Sequence, residues 1–169
     1  HAAGGGSVAL GQENIAWGTT NFTSGFQNVA GDANAPVGAA GSATAMGTGT
    51  TASGRSSFSA NNNTTASNQA SAALGLSTTA DNFGMLAVGV NNSAGVGDTS
   101  IDPDNYGGYY YADGEYTGTP PGVAFVIGNG DVDSSNGLAG ANPSNAFVVN
   151  FDGSATLSGD LTINSDARL

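Results

Sequence analysis

A residue that tolerates a positive φ recurs every seven positions through the first half of the chain. Gly47, Gly54, Asn61, Asn68, Gly75, Asn82 and Gly89 keep the interval without a slip; Gly11, Gly18, Gly25 and Asp32 form an earlier series, offset by one extra residue. Gly, Asn and Asp adopt left-handed backbone at least cost, so each is expected to mark a turn. Seven residues per turn leave about five for a short strand. A register held over so many steps belongs to a repeat architecture and excludes a disordered chain.

The residues between the markers divide into faces. Two positions before each marker stand Ala45, Ala52, Ser59, Ala66, Ala73, Ala80 and Ala87; four before stand Ala43, Thr50, Ser57, Thr64, Ser71 and Thr78, broken by Met85. Offsets of two and four put these side chains on one face of a strand. A face so small suits the inside of a narrow coil. The opposite face alternates: Thr44/Met46, Phe58/Ala60, Ala72/Leu74 and Leu86/Val88 are largely apolar, whereas Thr51/Ser53, Thr65/Ser67 and Thr79/Asp81 are polar. One coil is therefore two strands and fourteen residues, with one greasy outer face and one wet one. Ile15 and Trp17 are expected to continue the apolar stripe toward the N-terminus. An apolar row this long invites association, so Trp17, Met46, Leu74 and Val88 are the expected contacts between copies, with Ser53, Ser67 and Asp81 in water.

Ser7-Val8-Ala9-Leu10-Gly11, Ser42-Ala43-Thr44-Ala45-Met46-Gly47 and Ser71-Ala72-Ala73-Leu74-Gly75 resemble head repeats of trimeric autotransporter adhesins. The resemblance runs from residue 7 to about residue 96. It implies an all-β, left-handed parallel β-roll (a β-solenoid), homotrimeric around a central axis, that attaches bacteria to surfaces. Asn at turn sites and the irregular stretch 31–41 depart from the family pattern.

Composition narrows the chemistry. Leu, Ile, Val and Phe supply only 30 of 169 residues, yet just 9% are charged, so repulsion does not hold the chain open. The chain lacks Cys, which removes disulfides, thiolate metal sites and thiol nucleophiles. It also lacks Lys, which removes Schiff-base chemistry. The single His is His1, so a Ser-His-Asp triad would depend on a chain terminus. Net charge is −11, and residues 91–169 carry ten of the thirteen acids. With no basic patch, nucleic-acid binding is not expected. No apolar run approaches 18 residues, so no membrane insertion is expected either. The absence of an initial Met suggests a processed or excised chain.

Residues 91–122 break the seven-residue interval and read as loop. Tyr106, Tyr109, Tyr110, Tyr111 and Tyr116 cluster there. Tyrosines in a polar, Gly-rich loop form a candidate receptor-binding surface, or else pack over the end of the roll or between subunits. Two β-rich runs follow, 123–127 and 146–149, each bounded by turn residues, then shorter strands at 155–157 and 160–163. Asp131 and Asp133, and more weakly Asp102 and Asp104, stand at spacings reminiscent of calcium loops. Neither pair completes the twelve-residue loop with its closing Glu, so no cofactor and a solvated turn are expected at both, with calcium as the alternative that the acidity of this half keeps open. Three regions result: β-roll repeats over 1–96, a Tyr/Gly/Asp-rich insertion over 97–122, and a β-stranded fibre segment over 123–169.

The end of that segment, Asn164-Ser165-Asp166-Ala167-Arg168-Leu169, resembles the junction opening the endosialidase-type intramolecular chaperone of phage tail fibres and tailspikes. Residues 125–130 and 142–153 also look like segments leading into that domain. The resemblance implies a chaperone that assembles a trimeric fibre and releases itself by cleavage, here between Ser165 and Asp166, and a gene that continues past Leu169.

The function expected is structural and adhesive, without enzymatic activity. It is that of an extracellular homotrimeric fibre on a bacterial surface or a virion tail, binding a surface glycan or cell-surface receptor. One alternative is a glycan-degrading tailspike, since glycosidases need only a carboxylate pair such as Asp102/Asp104 or Asp131/Asp133. Another is an ice-binding solenoid, because Thr51, Thr65 and Thr79 recur at a fourteen-residue spacing.

Overall fold

The computed structural model describes residues 1–33, 41–94 and 122–160. Among them there is no helix. Strands of five and two residues alternate: β1 (Val8–Gln12), β2 (Ile15–Ala16), β3 (Phe22–Phe26), β4 (Val29–Ala30), β5 (Thr44–Thr48), β6 (Thr51–Ala52), β7 (Phe58–Asn62), β8 (Thr65–Ala66), β9 (Ala72–Leu76), β10 (Thr79–Ala80) and β11 (Leu86–Val90). The long strands stack in parallel in one sheet and the short strands in parallel in a second, five-stranded sheet. Each coil is thus one long and one short strand, as the two-face pattern predicts. Successive long strands pair at a fourteen-residue offset, Val8 with Phe22 and Thr44 with Phe58, except that Phe22 pairs with Thr44. The single extra residue counted along the markers is therefore an eight-residue enlargement of one coil, a half-coil plus one. Val29 pairs with Thr51 at the same larger offset, so both sheets keep register across it.

The interior is as small as expected. Ala16, Ala30, Ala43, Ala45, Ala52, Ala66, Ala73, Ala80 and Ala87 are all fully buried, alternating with buried Ser57, Ser59, Thr64, Ser71 and Thr78. Alanine methyls bury little area, so cohesion comes largely from hydrogen bonds that run from coil to coil. Corner residues take part along with strands: Ile15 N donates to Asn28 O, Val29 N to Thr50 O, Thr51 N to Thr64 O and Thr65 N to Thr78 O, each at 2.8 Å. Buried side chains continue the same ladder. Asn14 Oδ1 accepts from Asn28 N at 2.9 Å, and Asn28 Oδ1 accepts from both Thr50 N and Thr50 Oγ1.

Gly18, Gly54, Asn68 and Asn82 fall in turns after the short strands, as expected, but the markers of the long strands do not. Gly11, Gly25, Gly47, Asn61, Gly75 and Gly89 lie inside the long strands, with φ between 92° and 124°. The coil corners instead use Glu13, Gln27, Gly49, Asn63, Ser77 and Asn91 on one side and Gly6, Thr20, Ser42, Ser56, Ala70 and Gly84 on the other, all at positive φ. Inside the strand the constraint is contact between backbones. A Cβ on Gly75 would lie 2.0 Å from Gly89 O, and one on Gly25 equally close to Gly47 O.

Beyond residue 121 the long-strand sheet continues. β12 (Val123–Asn129) adds to β11 in parallel, aligning Leu86 with Phe125 and Val88 with Ile127. β13 (Val132–Asp133) and β14 (Leu138–Ala139) form a small hairpin. The chain then reverses: β15 (Asn145–Asn150) pairs with β12 antiparallel, and β16 (Ala155–Leu157) pairs with β15. Val123 and Val126 join Met85 and the last coil's alanines in one buried cluster, against which Val148 packs. Met85, the exception in an otherwise small row, is fully buried in this cluster. The strand expected at 160–163 is absent at Asp160 and otherwise falls outside the described residues.

Two stability outcomes follow. Gly75→Ala should cost at least about 2 kcal/mol in thermal or denaturant unfolding, from the left-handed backbone and the blocked contact together, whereas Gly5→Ala, with open space around it, should move stability by less than about 0.5 kcal/mol. Thr64 Oγ1 pairs with Ser59 Oγ at 2.7 Å, but one coil on Ser59 is replaced by Ala73, and Thr78 Oγ1 is buried without a partner. Thr78→Val should therefore raise stability by about 1 kcal/mol, and Thr64→Val should lower it.

Candidate functional site

Three surfaces hold the candidate residues. The first is the outer face of the long-strand sheet. One row runs in register Leu10, Ser24, Met46, Ala60, Leu74, Val88 and Ile127, then crosses onto Phe147 and Leu157. A flanking row holds Val8, Phe22, Thr44, Phe58, Ala72, Leu86 and Phe125. Leu10 is 53% exposed, Met46 41% and Leu157 43%; Leu74 and Val88 are half-buried. The stripe is thus longer than the repeats; among the described residues Leu10, Met46, Ile127 and Leu157 are exposed, and Ser24, Ala60, Leu74, Val88 and Phe147 between them are half-buried. Phe125 and Phe147 meet edge to face at 6.3 Å between ring centres, which stiffens the end where strand direction reverses.

The second surface is the short-strand sheet. Thr51, Thr65 and Thr79 stand side by side in its parallel register, with half-exposed Ser53, Ser67 and Asp81 beside them. Ile15 and Trp17 belong here rather than to the stripe, which corrects the expected continuation. Ile15 pairs with Val29 in the short-strand sheet, and Trp17 N donates to Ala30 O, one coil further on. Trp17 therefore does not share a face with Met46, Leu74 and Val88. Next to it opens a cleft of about 480 Å³, lined in part by Gly4, Gly5, Trp17, Gly18, Thr19 and Asp32. Sequence inspection did not single out this cleft.

The third surface is the acidic end. Asp131 and Asp133 are bound up in their own loops. Asp131 Oδ1 accepts from Asn142 N at 2.9 Å and Oδ2 from Asn142 Nδ2 at 2.8 Å. Asp133 Oδ1 accepts from Ser135 Oγ at 2.6 Å and Ser135 N at 2.9 Å, and Asp152 serves Ser154 in the same way. The Asn142 amides hold the Asp131 carboxyl below its ordinary range, and the Ser135 hydroxyl and amide do the same for Asp133. Both shifts run opposite to what a general acid needs. No group of three or more His, Cys, Asp or Glu side chains suited to a metal occurs among the described residues. Asp102 and Asp104, the tyrosines at 106, 109, 110, 111 and 116, and Ser165 with Asp166 lie outside the described residues.

The acidic loops should soften in acid. The Ser154 hydroxyl and amide lower Asp152 as well, so all three carboxyls titrate below their unfolded values. In that window the unfolded chain binds more protons, and the stabilisation present above about pH 4 is lost as pH falls through the lowered folded values. Amide exchange at Ser135, Asn142 and Ser154 should accelerate below about pH 4 before the coil amides respond; uniform acceleration would contradict this.

No helix among the described residues is long and apolar enough to cross a membrane. Comparison with protein-family models, with curated proteins and with solved structures returned no match.

Proposed function

We propose that this chain is a structural and adhesive module of an extracellular homotrimeric fibre. Three left-handed coils pack side by side through their long-strand sheets and present the remaining surface to a surface glycan or cell-surface receptor, in a phage tail fibre or a bacterial adhesin. The observation that carries this proposal is the outer apolar row from Leu10 to Leu157. A coil lined by alanine has little interior burial of its own, whereas each large side chain of the row gains roughly 1.5–3 kcal/mol on full burial. Over β6, β8 and β10 the opposite sheet carries Thr51, Ser53, Thr65, Ser67, Thr79 and Asp81, a surface suited to water, whereas along its first two strands stand Ile15, Trp17 and Val29. Association through one face and display through the other follows from that asymmetry. Closed three-fold packing of identical stripes also leaves no apolar row to recruit further copies. The repeat resemblance described above supports the same arrangement.

Light scattering should give three times the chain mass at micromolar concentration. Leu74→Asp should dissociate the trimer or destabilise it by several kcal/mol, because three unpaired carboxylates would be buried together. Ser67→Asp, on the opposite sheet, should leave the mass unchanged. A stable monomer of the parent chain would overturn the proposal.

A further inference from the structure

We propose that the outer face of the long-strand sheet sets the register between copies of this chain. Neighbours in the trimer lie parallel and level, with the row of Phe22 and Phe58 in one copy against the row of Ser24 and Ala60 in the next. The inference rests on the trimer proposed above and adds an alignment to it.

The two outer rows are out of phase with each other. In β3 and β7 the first outward residue is large and the second small: Phe22 with Ser24, and Phe58 with Ala60. In β5 and β9 the order reverses, giving Thr44 with Met46 and Ala72 with Leu74. The parallel register stacks these strands without offset, so Phe22, Thr44, Phe58 and Ala72 follow one another in one row and Ser24, Met46, Ala60 and Leu74 in the other. The residues between them, Thr23, Ala45, Ser59 and Ala73, are fully buried and uniformly small, so no interior contact requires the alternation. The face is a checkerboard of bumps and hollows that repeats every two coils, whereas the interior repeats every one.

A surface so patterned fits a copy of itself at one level. A closed three-fold ring joins unlike surfaces, so each copy gives one row to one neighbour and the other row to the second. With the copies level, Phe22 meets Ser24, Thr44 meets Met46, Phe58 meets Ala60 and Ala72 meets Leu74 across the contact. Each of these levels then pairs a large side chain with a small one. β1 and β11 keep the balance with two side chains of intermediate size, Val8 with Leu10 and Leu86 with Val88. A displacement of one coil would set Phe58 against Leu74 and Thr44 against Ala60, overfilling one level and leaving a void at another. A displacement of two coils would restore part of the alternation but strip two levels of cover at each end.

Charge and size agree with a second copy as the occupant. Neither row holds a charged side chain from β1 to β12, in a chain of net charge −11, so identical copies meet least repulsion along this face. Nine strands about 4.8 Å apart and mostly about 17 Å long present roughly 700 Å² per copy. One partner of a standard stable interface contributes about 800 Å².

Ala60→Leu and Phe58→Ala, singly and combined, test the alignment in the full chain, with the β circular-dichroism spectrum checked for each. Ala60→Leu closes the hollow that takes Phe58 and should weaken the trimer about tenfold or more by analytical ultracentrifugation. Phe58→Ala leaves a void and should weaken it comparably. The combined variant exchanges large and small at one level and should return to within about threefold of the parent. Equal amounts of the two single variants, unfolded and refolded together, should form mixed trimers in preference to pure ones, read by native mass spectrometry. That mixing separates contact between copies from contact within one strand. If either single variant fails to fold, Ala72→Leu and Leu74→Ala repeat the cycle in the next coil with the same expectations. A trimer that Ala60→Leu strengthens or leaves unchanged overturns the register, because a displaced copy would set residue 60 against Thr44 or Ala72. So does a combined variant no better than the weaker single one, or random mixing of the two. A monomeric parent chain removes the trimer and this alignment with it; a trimer whose variants do not compensate removes only the alignment.

Discussion

Hydrogen bonding between successive coils is the constraint from which the rest of this structure follows. Each long strand, each short strand and most corner residues pair with their counterparts one coil away. To keep those bonds near 2.9 Å, every side chain facing inward must be small or must join the ladder itself. Alanine meets the first condition at nine buried positions, and Asn14, Asn28 and Thr50 meet the second. The same closeness puts glycine at 25, 47, 75 and 89, where a Cβ would strike the next coil's carbonyl. A core built this way has no room for large apolar side chains, so they are displaced to the outer face.

That displacement gives the two sheets different characters. The long-strand sheet gathers most of the leucines, valines and phenylalanines; the short-strand sheet presents threonine and serine over β6, β8 and β10, after Ile15 and Val29 in its first two strands. At the C-terminal end the pattern changes with strand direction. β12 still follows the coil, but β15 and β16 run antiparallel, and larger residues, Met85, Val123 and Val126, replace alanine in the interior. The stripe nevertheless crosses this transition through Ile127 and Phe147, so the outer face remains continuous where the inner construction changes.

Much of this was legible in the sequence because the repeat is strict. The interior positions of Ala45, Ala52, Ser59 and Ala66, and the two-strand, fourteen-residue coil, follow from period-two offsets alone. Two features differ from expectation and a third had no reading. The true corners use Glu13, Gln27, Ser56 and Ala70, which have no special liking for positive φ; coil-to-coil pairing imposes it on them. Trp17 was placed on the stripe although Gly18 lies an odd number of half-coils from Gly47 once the eight-residue enlargement is counted; the phase of the repeat, not hydrophobicity, decides its sheet. The antiparallel turn of β15 had no local signature, because an apolar run such as 146–149 does not encode the direction of its partner. The tyrosine and Ser165–Asp166 expectations concern residues beyond those described.

Because the inter-coil bonds lie along the long axis, the molecule has a characteristic mechanics. A pull applied between its two ends loads the hydrogen bonds of one coil at a time, and the alanine interior adds little grip once a coil has opened. Single chains of this kind peel rung by rung, as expected for a quasi-one-dimensional fold. Side-by-side packing through the Leu10–Leu157 row would change that response, since a rung could leave only by also withdrawing its apolar side chains from two neighbours. The resistance of each rung would then include contacts perpendicular to the load as well as its bonds to the next coil.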